Sequence, residues 1–89
     1  MMILVGHDNF VKSDLIAAIL KPGSSPVKRV RQSAEERGLL INATAGHKTR
    51  SVVVLTTGQV VLTALQSSAL KKRLDTIRYR QKKGEVNHE

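Results

Sequence analysis

Two runs of β-branched residues separated by a glycine-containing turn constrain this chain more than any other feature. Residues 51–55 and 59–63 are rich in valine, and Thr57 and Gly58 lie between them. Two loop residues that include glycine, between runs of this composition, favour an antiparallel β-hairpin. We therefore predict a hairpin here, with the valine run at 51–55 as the central strand of a sheet.

Weaker patterns predict the other strands. The apolar start of the chain and the residues after Asp8-Asn9 suggest a first hairpin, because this pair supplies turn chemistry. The apolar run at 15–20 is short enough for a core strand, although its two alanines leave a helical turn as an alternative. The predicted strands besides the central hairpin cover residues 2–5, 10–11, 15–20 and 39–41.

Two helices complete the predicted fold. Ser24-Ser25-Pro26 is typical of a helix start, and Gly38 suits a left-handed C-terminal cap, so we predict one helix over about 26–37. Its apolar stripe comprises Val27, Val30 and Ala34. A second helix spans about 68–80, with Leu70, Leu74 and Ile77 on one face. The prediction is an α+β fold: a small β-rich domain over residues 1–80, followed by a disordered basic and polar tail at 81–89.

Composition indicates self-association. At 89 residues the chain makes one domain, and Phe10 and Tyr79 are its only aromatic residues, so a lone monomer would bury little apolar surface. Oligomerisation is the natural remedy. The sequence has no cysteine, and its apolar start is too short for a signal peptide or membrane span, which fits a cytoplasmic protein.

The charge balance points to nucleic acid. Fifteen lysines and arginines against seven acidic residues give a formal net charge of +8, which attracts polyanions. The basic stretches lack the large apolar residues that anchor a helix at a membrane surface, so we expect no membrane partner. RNA is an alternative to duplex DNA, but few aromatic side chains are present on which unpaired bases could stack.

Three basic clusters are candidate contacts. The loop 46–50 contains His47, Lys48 and Arg50 beside a glycine, which suits phosphate oxygens or a guanine edge, although an ordinary solvated loop is the alternative. Lys28 and Arg29 open the first helix, where a phosphate would explain cations at the positive end of the helix dipole. Arg31, by contrast, can pair with Glu35 at i+4. The third cluster, an accessory track, comprises Lys71, Lys72, Arg73, Arg78, Arg80, Lys82 and Lys83.

Catalysis and metal binding have little support in the sequence. His7, His47 and His88 are not linked by any short spacing, and His7 and Asp8 would point to opposite faces of extended chain. His7 is better interpreted as a turn or core-edge residue. We expect no enzyme activity, no catalytic or metal-binding residue, no cofactor and no small-molecule substrate.

Several stretches of the chain form a familiar pattern in their order and spacing. The most specific are the stretch from Ser25 to Arg29 and Thr49-Arg50 before the valine strand. The others are 6–11, 36–38, 42–44 and 51–54. This pattern resembles the RemA family of bacterial DNA-binding regulators of extracellular matrix genes, and the similarity covers about residues 2–74.

The resemblance implies a fold similar to the LytTR DNA-binding domain, a ring of subunits, and a basic outer surface around which duplex DNA bends. Its basic loop corresponds to His47, Lys48 and Arg50, and its helix-start cations correspond to Lys28 and Arg29. In RemA proteins the loop usually has arginines where this chain has His47 and Lys48, so the bidentate guanidinium forks are missing. An arginine of the family also falls on Asp14, which would repel DNA if it shared the surface.

The sequence thus predicts an oligomeric DNA-binding transcriptional regulator. His47, Lys48 and Arg50 contact phosphates, and Lys28 and Arg29 hold a neighbouring phosphate. Lys12 or the C-terminal cations extend this track of contacts. The segment 67–73 looks more like the sister RemB type, which leaves an alternative: a RemA-like oligomeric scaffold that binds a protein partner and has weakened DNA binding.

Overall fold

The computed structural model describes the backbone of residues 1–87 and the side chains of residues 1–80. Within this range the protein is a small α+β domain with six strands in two sheets and two helices, as predicted. The elements, in chain order, are β1 (Met2–Gly6), β2 (Asn9–Lys12), a 3-10 turn (Ser13–Leu15), β3 (Ile16–Leu20), α1 (Ser25–Glu36), β4 (Leu40–Ala43), β5 (Ser51–Leu55), β6 (Val60–Thr63) and α2 (Ser67–Asn87).

The larger sheet has the strand order β3-β5-β6-β4. The predicted hairpin is confirmed: β5 and β6 are antiparallel, with Ser51 opposite Thr63 and Val54 opposite Val60. The edge strand β3 is antiparallel to β5, whereas β4 is parallel to β6. The valine run therefore lies in the interior of the sheet, hydrogen-bonded on both sides.

Both faces of this sheet are covered. On one face α1 packs through Ala34 and Val27 against a cluster that includes Val52 and Leu62. On the other face the β1–β2 hairpin and α2 pack against Val53 and its neighbours. Because alternate side chains of β5 point to opposite faces, the valine run contributes to both clusters. This arrangement explains a continuous apolar run in place of an alternating pattern.

The first helix, Ser25–Glu36, begins and ends one residue earlier than the predicted 26–37. The Ser24 hydroxyl accepts a hydrogen bond from the Val27 amide at the N-terminus, and Gly38, at φ 70°, follows the C-cap Arg37. The apolar stripe is narrower than expected, because Val30 is 36% exposed whereas Ala34 is 4% exposed. Val30 thus lies at the edge of the contact with the sheet.

The second helix packs through the predicted apolar face, with Leu70 and Leu74 buried and Ile77 against the same cluster. Its backbone continues to Asn87, past the predicted end at Arg80. Positions 88 and 89 of the predicted tail lie outside the described residues.

The β1–β2 hairpin closes through a left-handed turn. His7 and Asp8 both have positive φ, 43° and 63°, and the Asn9 side chain donates to the carbonyl oxygens of Gly6 and His7 at 2.9 and 3.1 Å. Positive φ at both central residues matches the twist of the strands they join. His7 is an exposed turn residue, one of the two positions that the sequence allowed for it.

Candidate nucleic-acid interface

Strand directions bring four chain connections to one end of the larger sheet, which we call the loop end. Leu20 at the end of β3 lies opposite Val52 near the start of β5. Thr63, which ends β6, pairs with both Ser51 and Ala43. The connections β3–α1, β4–β5 and β6–α2 therefore meet here. The β1–β2 turn joins them, because a Cβ at Gly6 would lie 3.2 Å from the Ala43 carbonyl oxygen.

The β4–β5 loop is held at both of its ends. The Thr44 amide and hydroxyl both donate to the Asn42 side-chain oxygen, at 3.0 and 2.6 Å. The His47 amide donates to the Thr44 carbonyl oxygen, across Ala45 and Gly46 with positive φ. At the other end the Arg50 amide donates to the Thr63 carbonyl oxygen at 2.8 Å. Arg50 thus projects from a backbone that the sheet fixes.

His47 contacts the β1–β2 turn. Its ring stacks on that of His7, with the centroids 5.1 Å apart and the planes inclined by 6°. Both residues are exposed. The stack joins two connections that are distant in sequence, and it covers one face of the His47 imidazole.

A basic groove opens beside this loop. It has a volume of about 780 Å³ and contains Lys48 and Arg50 from the predicted site together with Lys21 and Arg31. None of the described residues that line it is acidic. Its lining comprises Lys21, Pro22, Gly23, Arg31, Lys48, Thr49, Arg50, Gln66, Ser67 and Ser68.

Lys21 and Arg31 were not selected from the sequence. Lys21 stands alone before Pro22-Gly23, and only the pairing of β3 with β5 brings it to the loop end. Arg31 was expected to pair with Glu35, but among the described side chains the one ion pair within 4.0 Å joins Lys71 to Asp75. The helical period could have identified Arg31 from the sequence. Arg31 follows the half-buried Val27 by four residues, so it lies near the side of α1 that packs on the sheet.

Lys28 and Arg29 lie at the loop end but do not line the basic groove. Both are exposed in the first turns of α1. At about 100° per residue, Arg29 lies on the side of the helix away from Val27 and the sheet, and Lys28 lies on its flank. The two predicted clusters therefore share one end of the molecule without forming a single pocket.

Lys12 lies at the opposite end of the molecule. It pairs with Met2 at the start of β1, whereas Gly6 at the loop end pairs with Asn9. Four residues of extended chain separate the two positions by about 13 Å. Asp14 also lies at the far end, because the adjacent Leu15 carbonyl accepts from the Thr56 amide in the β5–β6 turn. Asp14, which stands where the RemA pattern has an arginine, is thus remote from the basic loop.

Two members of the accessory track already have partners within the protein. Lys71 binds Asp75 at 3.0 Å, and the Arg73 guanidinium donates to the Leu4 carbonyl oxygen at 3.2 Å. Lys72, Arg78 and Arg80 are exposed. Lys82 and Lys83 lie on a part of α2 whose side chains are outside the described residues.

In the part of the chain that the structure describes, no three histidine or acidic side chains are grouped as a metal ion would require. None of the helices described there has the length and apolar character needed to cross a membrane.

The fold and the loop end together define a small α+β domain with a basic groove. The family described as extracellular matrix regulatory protein A-like, or RemA-like, matches residues 2–74, and the chain belongs to this family. Proteins named "Putative regulatory protein" are similar over most of their length. That of Thermodesulfovibrio yellowstonii is 40% identical over 86% of this chain and 91% of its own, and that of Alkaliphilus oremlandii is 43% identical over 84% and 81%.

Proposed function

We propose that this protein is a bacterial transcriptional regulator that binds duplex DNA through its loop end. The observation that carries the proposal is the basic groove, in which Lys48 and Arg50 lie with two further cations. The part of its lining that the structure describes has no acidic residue. The family supports it, since relatives at about 40% identity are named as regulatory proteins. A regulator of this kind works in the cytoplasm, where the DNA is, and needs no enzyme activity.

The groove favours phosphate contacts over base reading. Lys48 offers a point charge, and Arg50 is held beside the sheet by its own backbone hydrogen bond. A single guanidinium fork can clamp one phosphate, but sequence reading usually needs side chains that reach base edges. We therefore propose backbone contact and recognition of DNA shape, with His47, Lys28 and Arg29 as flanking contacts. Lys12 pairs with Met2, at the end of the first hairpin away from the loop end, and it is not one of the proposed contacts.

A double variant tests the site. Lys48→Ala with Arg50→Ala should weaken binding to a short duplex by at least about tenfold, because two charge-assisted phosphate contacts are lost. The slope of log affinity against log salt should fall by roughly 1.8, about 0.9 for each phosphate. Fluorescence anisotropy at several salt concentrations measures both quantities.

The matched control removes the same charge from the far end. Arg37 follows α1 and precedes Leu39, whose carbonyl oxygen accepts from the Val60 amide after the β5–β6 turn, so it also lies at the far end. Lys12 and Arg37 are both exposed, and Lys12→Ala with Arg37→Ala should change the affinity little. Equal losses in the two double variants would show that net charge alone attracts DNA, and the assignment of the loop end would be rejected.

A second candidate function is an oligomeric scaffold that binds a protein partner. The observation that favours it is the apolar outer face of the β1–β2 hairpin, where Met2 and Phe10 are 53% and 54% exposed. Light scattering combined with DNA titration separates the two functions. A defined oligomer that retains no duplex DNA at low salt would favour the scaffold.

A further inference from the structure

We infer that the basic groove is a discrete site for two adjacent phosphate groups, with Lys21 and Arg31 as binding residues besides Lys48 and Arg50. The proposed DNA function supplies one source of these phosphates, and to that extent the inference rests on it. The other source is a small free compound that carries linked phosphates. Both sources present anionic phosphate oxygens to the groove.

The size of the groove favours more than a single anion. Its volume of about 780 Å³ falls within the range of roughly 300–1,000 Å³ that is typical of ligand sites. A lone phosphate would leave most of this space empty. Two linked phosphates with part of the attached group would reach cations on both sides.

The cations of the groove come from three separate parts of the fold. Lys21 lies between β3 and α1, Arg31 lies within α1, and Lys48 and Arg50 belong to the β4–β5 loop. Convergence from three elements differs from a run of lysines on one helix, since the fold sets the spacing of the charges. Two of the four are arginines, whose planar forks can each hold two oxygens of one phosphate.

Their charges are not balanced inside the described part of the chain. The ion pair found there joins Lys71 to Asp75, and neither of these residues lines the groove. Like charges brought together without an anion repel one another, and a bound phosphate would relieve this repulsion.

The remaining lining is suited to close approach. Gly23, at φ 111°, has open space where a side chain would project, so an oxygen can reach the backbone there. Ser67 and Ser68 add hydroxyl groups at the first turn of α2, which has no acidic residue. These groups add hydrogen-bond donors beside the four cations, which would contribute most of the attraction for phosphate.

The test uses the full chain with inorganic pyrophosphate as the probe. Calorimetric titration at low salt should show saturable binding to the wild type. Lys21→Ala with Arg31→Ala should weaken that binding by at least about tenfold, because two charged partners are lost. Both residues are exposed, so the melting temperature should stay close to that of the wild type. A Lys21→Gln, Arg31→Gln variant repeats the measurement with less change in side-chain bulk.

The control is again Lys12→Ala with Arg37→Ala, which removes equal charge at the far end and should leave pyrophosphate binding unchanged. Equal weakening in test and control variants, or no saturable binding to the wild type, would overturn the inference. This arm contains no DNA, so its outcome is independent of the proposed function.

A second arm identifies the source of the phosphates. If the Lys21, Arg31 variant also loses affinity for duplex DNA, and pyrophosphate displaces DNA from the wild type, the groove holds the DNA backbone. If pyrophosphate binding is lost while DNA binding is unchanged, the groove serves a small phosphorylated ligand. Each outcome supports a phosphate site and assigns its occupant.

Discussion

At the loop end, several residues have positive φ angles, and these angles allow the chain connections to lie close together. Gly6, at φ 135°, fits between the Ala43 carbonyl oxygen and the Thr63 hydroxyl. Ala45, at φ 50°, takes a left-handed conformation that residues with a side chain seldom adopt, at the start of the basic loop. These positions place His7 beside His47, and so connect the first hairpin to the candidate site.

The substitution Gly6→Ala measures this constraint. The new Cβ would lie 3.2 Å from two oxygens in a backbone region that costs about 1–3 kcal/mol for other residues, and crowding adds about 1–3 kcal/mol. We expect a loss of about 2–6 kcal/mol in the free energy of unfolding, measured by urea denaturation.

Gly23→Ala is the matched control, since Gly23 also has a positive φ but its Cβ would meet open space. Gly23→Ala should lower the free energy of unfolding only by the backbone contribution, about 1–3 kcal/mol. If the two variants were equally stable, crowding at Gly6 would be absent and the close packing of the turn would be disproved.

At the scale of elements, the end of β6 is hydrogen-bonded to three other parts of the fold. The Thr63 hydroxyl donates to the Val5 carbonyl oxygen in β1 and accepts from the Leu65 amide, while the Thr63 carbonyl oxygen accepts from the Arg50 amide. Thr63 is fully buried. Its hydrogen bonds link the first hairpin, the β4–β5 loop and the approach to α2, so the loop end depends on one strand terminus.

Thr63→Val tests this junction. Valine has nearly the same shape, but it leaves a buried carbonyl and an amide without their partner, at about 1–3 kcal/mol for each group. We expect a loss of roughly 2–6 kcal/mol in the free energy of unfolding. Thr57→Val, at an exposed hydroxyl in the β5–β6 turn, should change it by less than about 0.5 kcal/mol. Similar effects of the two substitutions would contradict the assignment.

At the scale of the whole molecule, the basic groove and the exposed apolar side chains of the first hairpin lie in different regions. The basic groove is at the loop end, whereas Met2 and Phe10 lie on the outer face of the β1–β2 hairpin, since Phe10 pairs with Leu4, two residues from Met2. Copies that associate through the apolar face would keep their loop ends free for DNA. Several weak sites in one assembly would then act together with high avidity.

We propose that copies of the protein associate through this apolar face, and Phe10→Ser tests the association. It should shift the protein from an oligomer toward the monomer in multi-angle light scattering, because a large apolar side chain leaves the contact. Tyr79→Ser, at an exposed aromatic residue on α2, should leave the mass unchanged. A wild type that stays monomeric at all concentrations, or dissociation by both substitutions, would rule out this face.

Local patterns were sufficient to predict most of the fold. The hairpin at 51–63, the limits of α1 and the apolar face of α2 follow from periodicity, caps and turn residues, which act over a few positions of the chain. The same local chemistry marked Lys48 and Arg50, because a basic loop before a rigid strand is visible in the sequence alone.

Adjacency across the chain was decided only by the tertiary structure. No local signal made β4 parallel to β6, and that pairing brings Ala43 to the same end as Ser51. Strand directions then place Lys21 and Arg31 beside the basic loop and Lys12 at the far end. The type of a side chain determines what a residue can bind. The directions of strands and helices determine which residues lie together. Those directions depend on how the two apolar faces of the larger sheet are buried, which involves residues that are distant in the chain.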